Sequence, residues 1–219
     1  MGLIKKDFKR KSGIREAKLI VIACEGSETE PRYFQALRTH FQKSGLRVEI
    51  LDRKDWGIDK TKSAAKYVIE CLNGFKRTYH LDKHDELWLL LDRDKDNFSE
   101  AQLSKIAQLC VQKKYHLAVS NPTFELWLLF HFENIALYET DKQQVLLENP
   151  KISNEKRLLE KELEKHLEGY HKARFNTLPL IEKVENAVEH AAFFPLPQNE
   201  RWHQGLGTRV YELVKSIII

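Results

Sequence analysis

The residues of this sequence best suited to chemistry are carboxylates that follow apolar runs. Cys24-Glu25-Gly26-Ser27-Glu28-Thr29-Glu30 closes the run that starts at Lys18, and Asp92-Arg93-Asp94-Lys95-Asp96 follows Leu87 to Leu91. Residues two apart on an extended backbone point the same way, so Asp92 and Asp94 can bring two carboxylates to one point. Oxygen-only ligands of this kind select a hard cation. Magnesium is typically held by one or two carboxylates, with substrate phosphate and water completing its octahedron. Joined to Glu25 from a neighbouring strand, these acids would repel one another without a cation, whereas with magnesium they can activate water or stabilise the leaving oxygen of a phosphodiester.

Glu25 is the first residue past its run and no helix cap needs it, which makes it a site residue. Glu30 has two readings, because Ser27 followed three residues later by Glu30 also fits a capping box. Asn97 and Ser99 are available to cap the next helix, so capping does not account for Asp92 and Asp94. In Ser120-Asn121-Pro122-Thr123-Phe124-Glu125-Leu126-Trp127-Leu128-Leu129-Phe130-His131, Glu125 lies one turn inside an apolar helix. It is either a second metal ligand or base, or a paired structural acid; His131 reads as a core histidine. Gly57 to Ser63 ends in Lys-Ser but lacks the glycine that a phosphate loop needs just before its lysine. The histidines form no zinc motif, and no Gly-x-Ser-x-Gly elbow is present.

Strand ends must position these acids. Residues 18–24 and 86–91 are continuous apolar runs, the pattern of strands buried on both faces of a parallel sheet. Further strands are expected at 46–51 and 115–119, and helices at 30–43 (stopped by Gly45), at 61–75 (ending near Asn73-Gly74) and at 99–113. This alternation predicts a largely parallel sheet covered by helices, with ligands collecting at the carboxyl ends of the strands. Beyond Ser120 the chain reads as helix or loop: a helix capped by Asn121, a solvated outer helix over 153–168 with a Leu159, Leu163, Leu167 stripe, and a last helix over 205–217. Three segments are expected: a basic arm over 1–17, an α/β domain over 18–134 and a helical extension over 135–219 on the same core.

The chain has 219 residues, 42% of them hydrophobic, enough for a sizeable core. Its net charge is +4, but residues 1–18 carry seven basic side chains against Asp7 and Glu16, so the remainder is close to neutral. Lys5, Lys6, Lys9, Arg10 and Lys11 suit non-specific phosphate contact through counterion release; a solvated terminus is the alternative. No apolar stretch approaches the ~20 residues of a membrane span. Three widely spaced cysteines argue against disulfides, and a cytoplasmic protein without membrane contact is expected.

Cys24 to Phe34, the acids after Leu87 to Leu91, Ser120 to Trp127 and the closing Gly207-Thr208-Arg209-Val210-Tyr211-Glu212-Leu213-Val214 together resemble the RloB-like proteins. These are bacterial proteins associated with phage defence and abortive infection, often encoded beside an AAA-type ATPase. That family is similar in turn to the Toprim domains of topoisomerases, primases and nucleases of the overcoming-lysogenization-defect type. The resemblance implies an α/β, Toprim-like parallel sheet flanked by helices, with an α-helical C-terminal extension. It also implies a magnesium site, with manganese as a substitute, in which Glu25, Asp92 and Asp94 are catalytic and Glu30 or Glu125 completes a second metal position. Nucleic acid, either DNA or RNA, is the implied substrate. A regulatory subunit of an ATPase complex, with the acids holding a cation for stability alone, is the alternative, and a homo-oligomer fits either role.

Overall fold

The computed structural model describes Lys6 and residues 17–58, 65–94, 98–154 and 156–219. The apolar runs form strands β1 (Lys18–Cys24), β2 (Leu46–Ile50), β3 (Glu86–Asp92) and β4 (His116–Asn121). Helices α1 (Thr29–His40), α2 (Ala65–Thr78) and α3 (Glu100–Lys113) alternate with them. These four strands are parallel in the order β2-β1-β3-β4. A fifth strand, β5 (Gly207–Thr208), pairs antiparallel with the end of β4, where the sequence predicts only helix and loop. Two residues are too few to carry a period.

Alternation divides each buried run between two layers. Leu19, Val21, Ala23, Leu87, Leu89 and Leu91 pack with α2 and α3, whereas Ile20, Ile22, Cys24, Trp88 and Leu90 pack with α1 on the opposite face. That second face also receives α4 (Phe124–Phe130), α5 (Thr140–Glu148), α6 (Leu158–Glu164), α7 (Leu178–Glu182), α8 (Val184–Ala192) and α9 (Val210–Ile218). Residues beyond 134 thus share one core with the front of the sheet.

The outer helix over 153–168 is shorter than expected, α6 holding only Leu158–Glu164; the Leu159, Leu163, Leu167 stripe is buried in this core while Lys161 and Lys165 are exposed. Every residue of α4 is buried, and a helix apolar on all sides needs cover on all sides. Helices α6 and α8 supply that cover. Asn121 likewise does not cap α4. It ends β4, and its amide lies 2.9–3.0 Å from the carbonyl oxygens of His203, Gln204 and Gly205, so it ties the loop before β5 to the sheet. Thr123 takes the cap position without a side-chain bond. His131 is a core histidine: Nδ1 lies 3.0 Å from the Trp127 carbonyl and must donate, leaving Nε2 to accept from the Tyr33 hydroxyl at 3.1 Å.

Helix α1 ends at His40, before Gly45, and α2 runs through Asn73-Gly74 to Thr78. Gly74 is there because Trp56, from the 3-10 turn Arg53–Trp56, lies on it: a Cβ would sit 2.3 Å from the indole. Gly74→Ala gains about 1 kcal/mol of helix propensity but costs about 1–3 kcal/mol of overpacking. A net loss of about 1 kcal/mol, read by urea unfolding together with altered tryptophan fluorescence, is the expected result. Among the described residues no helix is long and apolar enough to cross a membrane, and Cys24, Cys71 and Cys110 are buried and free.

Candidate functional site

The chain leaves β1 toward β2 on one side and continues to β3 and β4 on the other. The order therefore reverses between β1 and β3, and open α/β sheets have a crevice at the carboxyl ends of the strands beside such a reversal. Glu25 follows β1 and Asp92 ends β3, so both stand at this crevice. The Glu25 N–H donates to the Leu90 carbonyl at 3.0 Å, and the Asp92 N–H donates to Glu25 Oε2 at 3.2 Å. Glu25 therefore spans the gap between the two strands.

Glu30 enters from the first turn of α1 without forming the capping box. Glu28 occupies the cap position with no side-chain cap bond, and Glu30 Oε1 accepts the Gly26 N–H at 2.9 Å instead. The returning carboxylate lies over the Gly26 α-carbon, where a Cβ would come within 2.0 Å of an oxygen. Glycine after Glu25 is thus a condition for burying Glu30 beside the crevice.

Glu125 reaches the same region from α4 and is almost wholly buried. Lys172 Nζ lies 3.2 Å from its Oε1 and 3.4 Å from Glu160 Oε1, while the Tyr170 hydroxyl donates to Glu125 at 3.4 Å. The start of α1 fixes the backbone of this lysine segment: Thr29 donates to the Lys172 carbonyl and Arg32 to the Ala173 carbonyl. Asp94 lies past the strand end and pairs with Arg157 at 3.4 Å. Between the two aspartates Arg93 points elsewhere, donating to the His203 carbonyl at 2.9 Å. Arg53, buried, donates to the Cys24 carbonyl at 3.2 Å.

Sequence reasoning misses Lys172, Glu160, Tyr170, Arg53 and Arg157. They come from segments without a motif, and only the tertiary fold brings them to the acids. Lys5, Lys9, Arg10 and Lys11 of the basic arm lie outside the described residues. Lys6 is exposed, and its backbone bonds to Thr78 and His80 at the end of α2, near the amino ends of the strands and away from the acids.

Burial pushes the Glu25 carboxyl up to about 7; the Asp92 N–H and Arg53 oppose the rise, while Glu30 and Asp94 add to it. Burial also raises Asp92, with Glu30, Glu125 and Glu25 pushing it further and Lys172 opposing. Glu30 is raised chiefly by burial, with Glu125 adding to it. Burial works against the Lys172 charge, yet Glu125 and Glu160 outweigh it and hold the ammonium protonated. The crevice is thus an acid cluster with Lys172 as its internal counter-charge.

An exposed pair contributes ~0–1 kcal/mol and breaking a buried one costs ~3–5 kcal/mol. Lys172 is half exposed while Glu125 is buried, so Lys172→Met is expected to cost about 2 kcal/mol near neutral pH. Denaturant unfolding should give a smaller loss in acid, where Asp92 and Glu30 are protonated.

The donor set suits a hard, oxygen-seeking cation in kind and number. Among the described residues, however, no three Asp, Glu, His or Cys side chains stand ready to chelate. A cation would have to draw Glu25 and Asp92 together.

Parallel strands covered on both faces, with acids at the point of reversal, define a doubly wound α/β protein with an acidic crevice. The model of the family described as RloB-like protein matches residues 20–217, and this chain belongs to that family. No curated protein and no solved structure matches it.

Proposed function

We propose that this chain is a Toprim-type nuclease, a magnesium-dependent hydrolase of nucleic-acid phosphodiesters that serves in bacterial defence against phage. The observation that carries this reading is the gathering of Glu25, Asp92, Glu30 and Glu125, from β1, β3, α1 and α4, at the strand-order reversal. Structural stability alone does not call for this gathering, since burial and mutual repulsion both disfavour the charged forms of Glu25, Glu30 and Asp92. Glu25, Asp92 and Asp94 would hold magnesium or manganese, with Glu30 or Glu125 at a second position. The metal would supply Lewis-acid stabilisation of charge on the phosphate and lower the pKa of attacking water. The protein's own part is to hold Glu25 against the Asp92 backbone as general acid or base, and to keep Lys172 beside the acids as a fixed positive charge. The basic arm would add sequence-independent affinity for phosphates.

A second reading takes the chain as a non-catalytic subunit beside an AAA-type ATPase. The pairs Lys172–Glu125 and Arg157–Asp94 favour it, because they satisfy two of the acids internally. One experiment separates the two: purified protein is incubated with single-stranded and duplex DNA and RNA in magnesium, manganese or chelator. Metal-dependent cleavage, lost in chelator, is the expected result; thermal stabilisation by the metal without cleavage supports the subunit reading instead.

A further inference from the structure

A cavity of about 130 Å³ opens beside Glu25, lined by Cys24, Gly26, Ser27, Pro31, Gln35 and the chain from Ile50 to Arg53. It shares the Gly26 turn with the acid crevice but lies on another side of α1. Pro31 and Gln35 are four apart and so share one helix face, while Glu30 points from the neighbouring face toward the acids. A dry cavity of ~150 Å³ in another protein holds one benzene ring, so this space is the size of a single six-membered ring. Pro31, Ile50 and Leu51 give it apolar walls. The Ser27 hydroxyl and Gln35 amide, both at the exposed rim, have no partner among the described residues.

We infer that this cavity binds one unstacked pyrimidine of a single-stranded nucleic acid, next to the phosphodiester held at Glu25 and Asp92. The inference deepens the nuclease reading and rests on it for the position of the phosphate. An aliphatic slot suits the faces of a flat neutral ring. A carboxamide offers one donor and one acceptor side by side, and the Watson–Crick edges of cytosine, thymine and uracil each present such a pair, so Gln35 can serve all three by turning its amide. A purine adds a second ring and exceeds the space. Asp52 and Arg53 both line the cavity, so it carries no net charge of its own to select an ion. A base can enter only after leaving its stack, which makes single-stranded or locally unpaired nucleic acid the substrate class.

The test is fluorescence anisotropy of the full chain with labelled oligo(dC), oligo(dT) and oligo(dA), in chelator so that nothing is cut. A base seated in the cavity gains contacts that a base left outside does not, so the pyrimidine oligomers should bind about tenfold tighter than oligo(dA). Ser27→Trp, which fills the cavity, and Gln35→Ala, which removes the amide, should each reduce that preference to about twofold or less; both sites are at the surface, so the fold is retained. Equal affinity of the unaltered protein for the three oligomers overturns the inference, and so does a preference that persists in both variants. The two readings fail separately. Cleavage in metal without pyrimidine preference keeps the nuclease and removes the pocket, while a preference lost in Ser27→Trp, with no cleavage in any metal, keeps the pocket and removes the nuclease.

Discussion

Asp92→Asn is expected to lower magnesium-dependent cleavage by at least about a hundredfold, the scale seen when one group that stabilises transition-state charge is removed. The choice of Asp92 follows from its surroundings: Glu25, Glu30 and Glu125 all push its carboxyl up. Asparagine keeps the shape and the backbone N–H that donates to Glu25, and it removes only the ligand charge. Loss of activity therefore reports on the charge and not on a collapsed site. The same change should raise the melting temperature without metal, since a half-buried acid that is repelled by three others is replaced by a neutral amide. Cleavage assayed beside thermal melting on one preparation gives both readouts. Wild-type turnover in the variant, or in chelator, would remove the metal mechanism.

What the sequence made legible is what local physics controls. Leu19 to Cys24 and Leu87 to Leu91 are apolar without interruption, which only a strand covered on both faces accommodates at that length, and the first polar residue after each then falls at the carboxyl edge. The sequence alone therefore places Glu25 and Asp92 at one sheet edge. The counter-charges were illegible for the converse reason. Lys172 lies 47 residues beyond Glu125, in a loop without periodicity, and its place is set by Thr29 and Arg32 gripping the backbone around it. Glu30 shows the limit within a single motif. Its spacing from Ser27 fits a cap, but Gly26 leaves room for the carboxylate to fold back one residue further, and the cap goes unmade. Burial of the Leu159 stripe likewise depends on α4 being apolar all round, a fact about another helix.

In chelator, the unaltered protein should lose stability relative to Glu25→Gln as pH rises through the window set by Glu25. The sign follows from proton linkage. The Glu25 carboxyl ionises at about 7 in the folded chain against 4.5 ordinarily, so between those values the folded state holds a proton that the unfolded state has released. The Glu25 contribution is therefore fully present below about pH 4.5, falls through the window and is gone above about pH 7, whereas His131, held neutral by burial, titrates with the opposite sign in both proteins, so the comparison with the variant carries the test. At 1.36 kcal/mol per pKa unit, the shift corresponds to about 3 kcal/mol. Asp92 and Glu30 are raised as well and steepen the same slope. Glutamine can still accept the Asp92 N–H but never ionises, so the variant should match the unaltered protein in acid and exceed it at pH 8 by several degrees in melting temperature. Magnesium works in the same direction as the mutation, because a bound cation offsets the charge that the crevice leaves unpaired. It should raise the melting temperature of the unaltered protein at pH 8 and act less on Glu25→Gln, which lacks both the ligand and the repulsion. Melting curves from pH 4.5 to 8.5 with and without magnesium measure both effects, and parallel pH slopes for the two proteins would mean that Glu25 ionises in the fold as freely as it does in water.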